Sequence, residues 1–473
     1  GLKRGDRYLC SLPSILETAV AFLGGQLIGA VPVMVFPGYR DREMEHVLAA
    51  SNASLAITTV QHSKRLQTLG PRVSQAAVLA VYEGIGELPS LRRLMAEASD
   101  ELDPVQTDGD EIAEILFTSG TTGNPKGIPH THISVVTRGR CTTATTWRGL
   151  GPGDVTYTPG PISFAMGMHC HVHLCFITGA ASLYCAERPS PQRFLELVDE
   201  YSVTHIMTSA THLWNVLSVL PQPERLRSVK SIIVGGSALT SDLFEEWYGA
   251  YGIVLQPSFA MTEILAASHG TQIGEGRPDT MGMLLPEWEA RLCDPDDADG
   301  QTEVVRGEAG VLWLKGPGVL PFYWEDTELT AEKLRDGWFN TGDLVFEDGE
   351  GYYHHVGRID DVIKSAGWRI SPVEIEEVLK QHPQVEDVAV VGIPDPRRGK
   401  AVVAVVVPSA SRIDKRDLVE DLREMAYSQL AGYKVPNRFE FRETLPKTVV
   451  GKIQRKQLVD DIAARMESGE QDG

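Results

Sequence analysis

The chain has 473 residues, more than one ordinary core accommodates, so two or three domains are expected. Hydrophobic residues make up 42% and charged residues 23%, the balance of a globular enzyme. A formal net charge of -20 argues against nucleic acid as a principal partner, because a polyanion binder needs a basic face.

The chain opens at Gly1 without Met, in what reads as mid-domain sequence, so a preceding N-terminal piece is expected. Residues 1–18, ahead of the apolar stretch 19–36, are not expected to be a signal peptide. The most apolar stretch, residues 19–36, contains Gly24, Gly25, Gln26, Gly29 and Pro32. That composition suits a buried helix followed by a strand rather than an integral membrane segment. Apolar runs of strand length follow at 112–117, 231–234, 388–391 and 402–407, with helical patterns at 191–201, 241–251 and 372–382. Strands alternating with helices predict an α/β fold. Residues 347–351 read as a polar turn, and a boundary is predicted near 357–361. It divides the chain into 1–359 and 360–473, the second long enough for a small α+β domain of its own. The polar tail after Met466 is expected to fray.

Six cysteines stand at 10, 141, 170, 175, 185 and 293 without a CxxC pair, which argues against a disulfide framework and suits a reducing cytoplasm. His169, His171 and His173 alternate at period two. On a strand they would share a face, but no fourth ligand stands out and a metal site there is not expected.

The residues with chemistry form five segments. Thr118-Ser119-Gly120-Thr121-Thr122-Gly123-Asn124-Pro125-Lys126-Gly127 follows an apolar run. Such a loop can wrap N–H groups and hydroxyls around phosphate, and Lys126 adds charge. Its spacing is not that of a Walker loop, so a P-loop kinase is disfavoured. Phe259-Ala260-Met261-Thr262-Glu263 offers an aromatic surface for a base and a hard oxygen for Mg²⁺. Asn340-Thr341-Gly342-Asp343-Leu344 places a carboxylate in a turn, where it can accept from two hydroxyls. Residues 357–370 carry Arg358, Asp360, Ala366, Gly367 and Trp368, and residues 446–453 carry Lys452.

Five segments in this order, from 118 to 453, resemble the adenylate-forming superfamily of acyl- and aryl-CoA synthetases, peptide-synthetase adenylation domains and beetle luciferase. The resemblance covers essentially the whole chain. It implies a large multi-sheet adenylation domain, a small mobile C-terminal domain and a hinge at Asp360. It also implies that Thr118, Ser119, Gly120, Thr121, Thr122, Gly123 and Lys126 hold ATP phosphates, with Thr121 and Glu263 on Mg²⁺. Gly236, Ser237, Ala238 and the run Ser258, Phe259, Ala260, Met261, Thr262 and Glu263 would line the adenine side. Asp343 would hold the ribose, and Arg358 would contact the nucleotide at the domain junction. Lys452 would bridge carboxylate and α-phosphate in the first step, with Glu263 and Lys126 as its catalytic companions. Ala366, Gly367 and Trp368 would line the tunnel for coenzyme A. Family members commonly have Tyr-Gly at Phe259-Ala260 and Ser at Ala366.

Residues 161–168 match the entry to the family's acyl pocket and contain no Asp or Glu, which disfavours an amino acid substrate. Phe164, Met166, Gly235, Ala260 and Met261 imply an apolar acid of medium size or an aryl acid. The reading is an ATP-dependent, AMP-forming acid–CoA ligase with a small-molecule carboxylic acid as substrate. The alternatives are a carrier-protein thiol as acceptor and a non-catalytic AMP-binding module. Lys452, Glu263 and Asp343 together argue against the module, since binding alone does not require the lysine.

Overall fold

The computed structural model describes residues 2–73, 77–80, 90–118, 124–265, 267–366, 368–410, 413–447 and 453–468. The architecture is α/β, with a large multi-sheet N-terminal part. Among the described residues, one sheet has six strands in the order Ala77–Ala80, Leu55–Thr58, Arg7–Ser11, Val31–Met34, Ile112–Phe117 and Gly127–Thr131. All neighbours in it run parallel except the last pair. Stretch 19–36 forms the end of helix Leu16–Leu27 and the buried strand Val31–Met34. No helix among the described residues is long and apolar enough to cross a membrane.

A second, twelve-stranded sheet joins a parallel half to an antiparallel half. The parallel half contains His205–Thr208, Ser231–Val234 and Leu255–Ala260, side by side and in register. Ser231–Val234 is buried on both faces, which is why it reads as an unbroken apolar run. Its cover includes Pro191–Glu200 and Ser241–Tyr251. The first starts with Pro191 at N1 behind the Ser190 cap, and the second is capped by Thr240. Between helices and sheet lies a core that contains Phe194, Leu213, Leu243 and Trp247. Phe194 stacks on Tyr157 with ring centroids 5.8 Å apart.

In the antiparallel half, Trp338–Glu347 and Tyr352–Arg358 form a hairpin. Residues 347–351 are its turn, held by Asp348, whose Oδ1 accepts from the amides of Glu350 and Tyr352 at 2.9 Å each. Asp343 therefore sits within a strand, not in the turn its Thr-Gly-Asp context predicts; sheet pairing outcompetes the local Asx geometry. Beyond Arg358 the strands belong to other sheets, Ile363–Ser365 with Trp368–Ile370, and Val385–Asp395 with Gly399–Pro408 and Arg438–Phe441. Helix Pro372–Lys380 packs on the latter. Helix Arg455–Ser468 opens with a guanidinium 2.7 Å from both oxygens of Glu376 and 3.4 Å from Asp361.

Residues His169–His173 are a π-helical turn between helices Ala165–Met168 and Leu174–Thr178, so the strand geometry weighed for them is corrected. Their imidazoles diverge to Thr142, Ser182 and Glu114. The helical path on either side imposes its own period and overrides the alternation.

Phe194→Ala is expected to lower the unfolding free energy by about 3–5 kcal/mol, the scale for a buried aromatic. A fall in the urea midpoint of the large domain checks it.

Candidate functional site

Three loops meet at the carboxyl ends of parallel strands, where open α/β sheets place their ligands. The first joins Ile112–Phe117 to Gly127–Thr131 as an antiparallel connection. The Thr118 amide donates to the Lys126 carbonyl at 3.0 Å and closes its base. Ser119, Gly120, Thr121, Thr122 and Gly123 lie outside the described residues, as do Gly367 and Lys452. Gly127 is needed where Trp324 crosses, because a Cβ there would lie 2.9 Å from that of Trp324. This crossing brings Tyr323 beside the loop, with Lys126 Nζ 5.9 Å from the centre of its ring.

Tyr323 links the first loop to the second. Its hydroxyl donates to Glu263 Oε1 at 3.4 Å. Burial and the nearby Glu263 carboxylate push the phenol well above its ordinary value, so it stays protonated as a donor. Arg358 stands within electrostatic reach of both Glu263 and Asp343. Asp343 and Arg358 are cross-strand partners, with Nη1 3.1 Å from Oδ2. His355 Nε2 lies 3.0 Å from the other oxygen of Asp343. Gly342 has φ +73°, and a Cβ there would lie 3.0 Å from Arg358 Nη2, so glycine leaves the guanidinium its place. Lys126, Glu263, Arg358 and Asp343 thus alternate in charge, with the neutral Tyr323 phenol between the first two.

The second loop follows Leu255–Ala260. Ser258 and Phe259 are half-buried and Ala260 is exposed at the strand end. Phe259 meets His269 edge-on, centroids 5.9 Å apart, and it packs with Met261 against the antiparallel core. Thr262 and Glu263 then enter a short helical turn whose carbonyls are held from outside. Thr262 accepts from His130 Nε2 at 2.8 Å, and Glu263 accepts from the Leu320 amide at 2.8 Å. Leu265, 2% exposed, has φ +61°, a conformation that costs a non-glycine residue about 1–3 kcal/mol.

The third loop begins at Gly235, directly after Ser231–Val234. A Cβ on Gly235 would lie 3.5 Å from Met166 Cε and 3.7 Å from the Ser258 carbonyl, so the three border one space. Gly236 takes φ +77°, and Gly236, Ser237 and Ala238 are exposed. The Ser237 hydroxyl accepts from the Ala210 amide at 3.3 Å. Phe164 stacks on Phe36 at 5.3 Å across the two sheets.

In the C-terminal segment Asp360 is exposed just after the last strand of the large sheet. Ala366 holds φ +48°, which costs an L-residue roughly 1–2 kcal/mol, and its amide donates to the Arg398 carbonyl at 2.8 Å. Trp368, 53% exposed, stacks on Tyr433 with centroids 4.3 Å apart.

Sequence reasoning missed Tyr323, His130, His355 and Tyr433. Tyr323 stands in an aromatic run, Phe322-Tyr323-Trp324, which gave a weak signal of a crossing. The other three owe their positions to strand register and packing between distant segments.

Residues 1–324 match the model of the AMP-binding enzyme family, and 374–452 that of the AMP-binding enzyme C-terminal domain. The long-chain-fatty-acid–CoA ligase of Salmonella typhimurium is 32% identical over 99% of this chain and 87% of its own length. The benzoate–CoA ligase of Thauera aromatica is 30% identical, over 97% and 86%. The crystal structure of the anthranilate CoA ligase AuaEII with anthranoyl-AMP superposes with a TM-score of 0.89 at 26% identity, covering 99% of this chain and 89% of that one. The loop after Phe117, the 259–263 turn and the Asp343–Arg358 pair, in the order and fold of these relatives, place the chain in the family of AMP-binding enzymes, on the branch of the acyl- and aryl-CoA synthetases.

Proposed function

We propose that the protein is an AMP-forming acid–CoA ligase that activates an apolar aryl or medium-chain carboxylic acid. The observation that carries this reading is the joining of Lys126, Glu263, Arg358 and Asp343 at one strand-end crevice beside the apolar space of Gly235 and Met166. The relatives named for long-chain fatty acids and benzoate support the acid–CoA class.

In the first step the acid's carboxylate attacks the α-phosphorus of ATP in line. An O–P bond forms, the bond to the bridging oxygen breaks, and pyrophosphate leaves. The chain contributes position and charge. The residues 118–126 cradle phosphates, with Lys126 held toward them over Tyr323. Asp343 accepts from the ribose hydroxyls, and Arg358, paired with that carboxylate, meets the nucleotide. Phe259 to Met261 and Gly236 to Ala238 flank the adenine. Lys452 neutralises charge between carboxylate and α-phosphate.

The donor set fits Mg²⁺. No cluster of three or more His, Cys, Asp or Glu side chains among the described residues could cage a metal. Glu263 would supply one hard oxygen and Thr121 a hydroxyl, with the phosphates completing the set. When bound, Mg²⁺ screens the charge of the phosphates.

In the second step the thiol of coenzyme A attacks the acyl carbonyl, its proton leaves, and AMP departs. We place the domain boundary at 359/360 with a hinge at Asp360, supported by the change of sheet after Arg358 and by Asp360 being free of burial. Rotation there exchanges Lys452 for the segment of Ala366, Gly367 and Trp368, so one site serves two steps. The free cysteines and the absence of any needed protein nucleophile fit a reducing, cytoplasmic setting.

The reading is tested by pyrophosphate release from MgATP with benzoate, butyrate, octanoate and palmitate, with and without coenzyme A. Acid-dependent release with coenzyme A turnover is expected; release without it would point to a carrier-protein acceptor, and no release with any acid would remove the reading. Lys452→Ala should slow adenylation by about 10²–10³-fold, the scale of one lost transition-state donor. Thioester formation from pre-made acyl-AMP should be spared, and equal loss in both half-reactions would remove the lysine from the first step. Gly235→Val should raise KM for the longest or widest accepted acid far more than for the smallest, because its methyl groups enter the space beside Met166; a uniform change would place that acyl pocket elsewhere.

A further inference from the structure

Glu114 lies in the strand Ile112–Phe117, wholly buried, and takes no part in the steps above. Each of its oxygens meets an imidazole: His130 Nδ1 at 3.1 Å from Oε1 and His173 Nε2 at 3.3 Å from Oε2. Burial opposes its ionisation, but His173 and His130 outweigh that and hold the carboxyl below its ordinary range. The second nitrogen of His130, Nε2, faces the Thr262 carbonyl at 2.8 Å. A carbonyl and a carboxylate both only accept, so the ring donates through Nε2 to Thr262 and through Nδ1 to Glu114, and the two contacts fix its plane.

Thr262 immediately precedes Glu263. The turn they share needs outside support, since Leu265 at its end holds φ +61°. Leu320 supports Glu263 itself, and Arg138 donates to the Ala267 carbonyl on the far side. His130 closes the near side. A ring with one nitrogen on a carboxylate and the other on the neighbour of a metal ligand has the form of an outer-shell orienting group.

We propose that the buried Glu114–His130 pair, braced by His173, is a positioning device that sets Glu263 for the divalent metal through the Thr262 carbonyl. The proposal rests on the reading of Glu263 as a metal ligand. The side-chain amide of Asn reaches only the Nδ1 position of a histidine, whereas that of Gln reaches Nε2. His130→Asn therefore keeps the contact to Glu114 and loses Thr262, and His130→Gln keeps a donor to Thr262.

The test titrates Mn²⁺ into the full chain saturated with α,β-methylene-ATP, reading free Mn²⁺ by electron paramagnetic resonance, beside AMP binding in EDTA by calorimetry. Glu263→Gln and His130→Asn are expected to weaken Mn²⁺ retention by about 10–100-fold, the range for lost outer-shell partners. In His130→Asn the AMP affinity in EDTA should be unchanged, and His130→Gln should restore most of the loss. Wild-type Mn²⁺ retention in His130→Asn alongside a loss in Glu263→Gln overturns the proposal and leaves the Glu263 reading standing. So does a parallel fall in metal-free AMP binding, or equal loss in both His130 variants. Wild-type retention in Glu263→Gln overturns the metal-ligand reading and the proposal with it. Should His130→Asn fail to fold, Glu114→Leu, which unclamps the ring, takes its place with the same expected loss.

Discussion

Asp343 is a carboxylate only 4% exposed, and its charge is tolerable because Arg358 meets it across the strand pair at 3.1 Å. A buried charge left without a partner would cost several kcal/mol, so the pairing of Trp338–Glu347 with Tyr352–Arg358 and the electrostatics of the site depend on each other. The same guanidinium lies in the field of Glu263 and at the last strand before the chain changes sheets. A ligand that engages Asp343 thus alters the partner of the residue that leads into the C-terminal segment.

The charges around the crevice are arranged by backbone and not by long flexible side chains. Gly342 and Gly127 leave room for close approach of Arg358 and Trp324. In the 259–263 turn the Thr262 and Glu263 carbonyls accept from His130 and from the Leu320 amide, and Arg138 holds the Ala267 carbonyl just beyond it. Preorganisation of this kind keeps the cost of orienting charge out of the reaction step. The apolar side is different. Phe164 stacks on Phe36, and Met166, a residue that adapts its shape, lies beside Gly235.

Much was legible in the order of residues. Apolar runs at 112–117 and 231–234 became buried parallel strands, because a strand covered on both faces must be apolar throughout. Helices at 191 and 241 could be read from Pro191 and from the capping hydroxyls. The phosphate loop, the 259–263 segment, Asp343 and Arg358 carry short local patterns whose chemistry follows from residue type. The histidine alternation at 169–173 defines no shared face, since a period of two has no meaning inside a helix that the flanking residues impose.

By itself the sequence determined where many of the strands and helices fall and that the chain has the ordered motifs of an adenylate-forming enzyme, because these are patterns among residues close in the chain. Only the tertiary structure decided that Asp343 faces Arg358, that Tyr323 lies between Lys126 and Glu263, and that His130 ties Glu114 to Thr262. Those contacts join residues 15 to 197 positions apart in the numbering of the chain. Strand register and the crossing of loops set them, and neither leaves a periodic trace in the order of the amino acids.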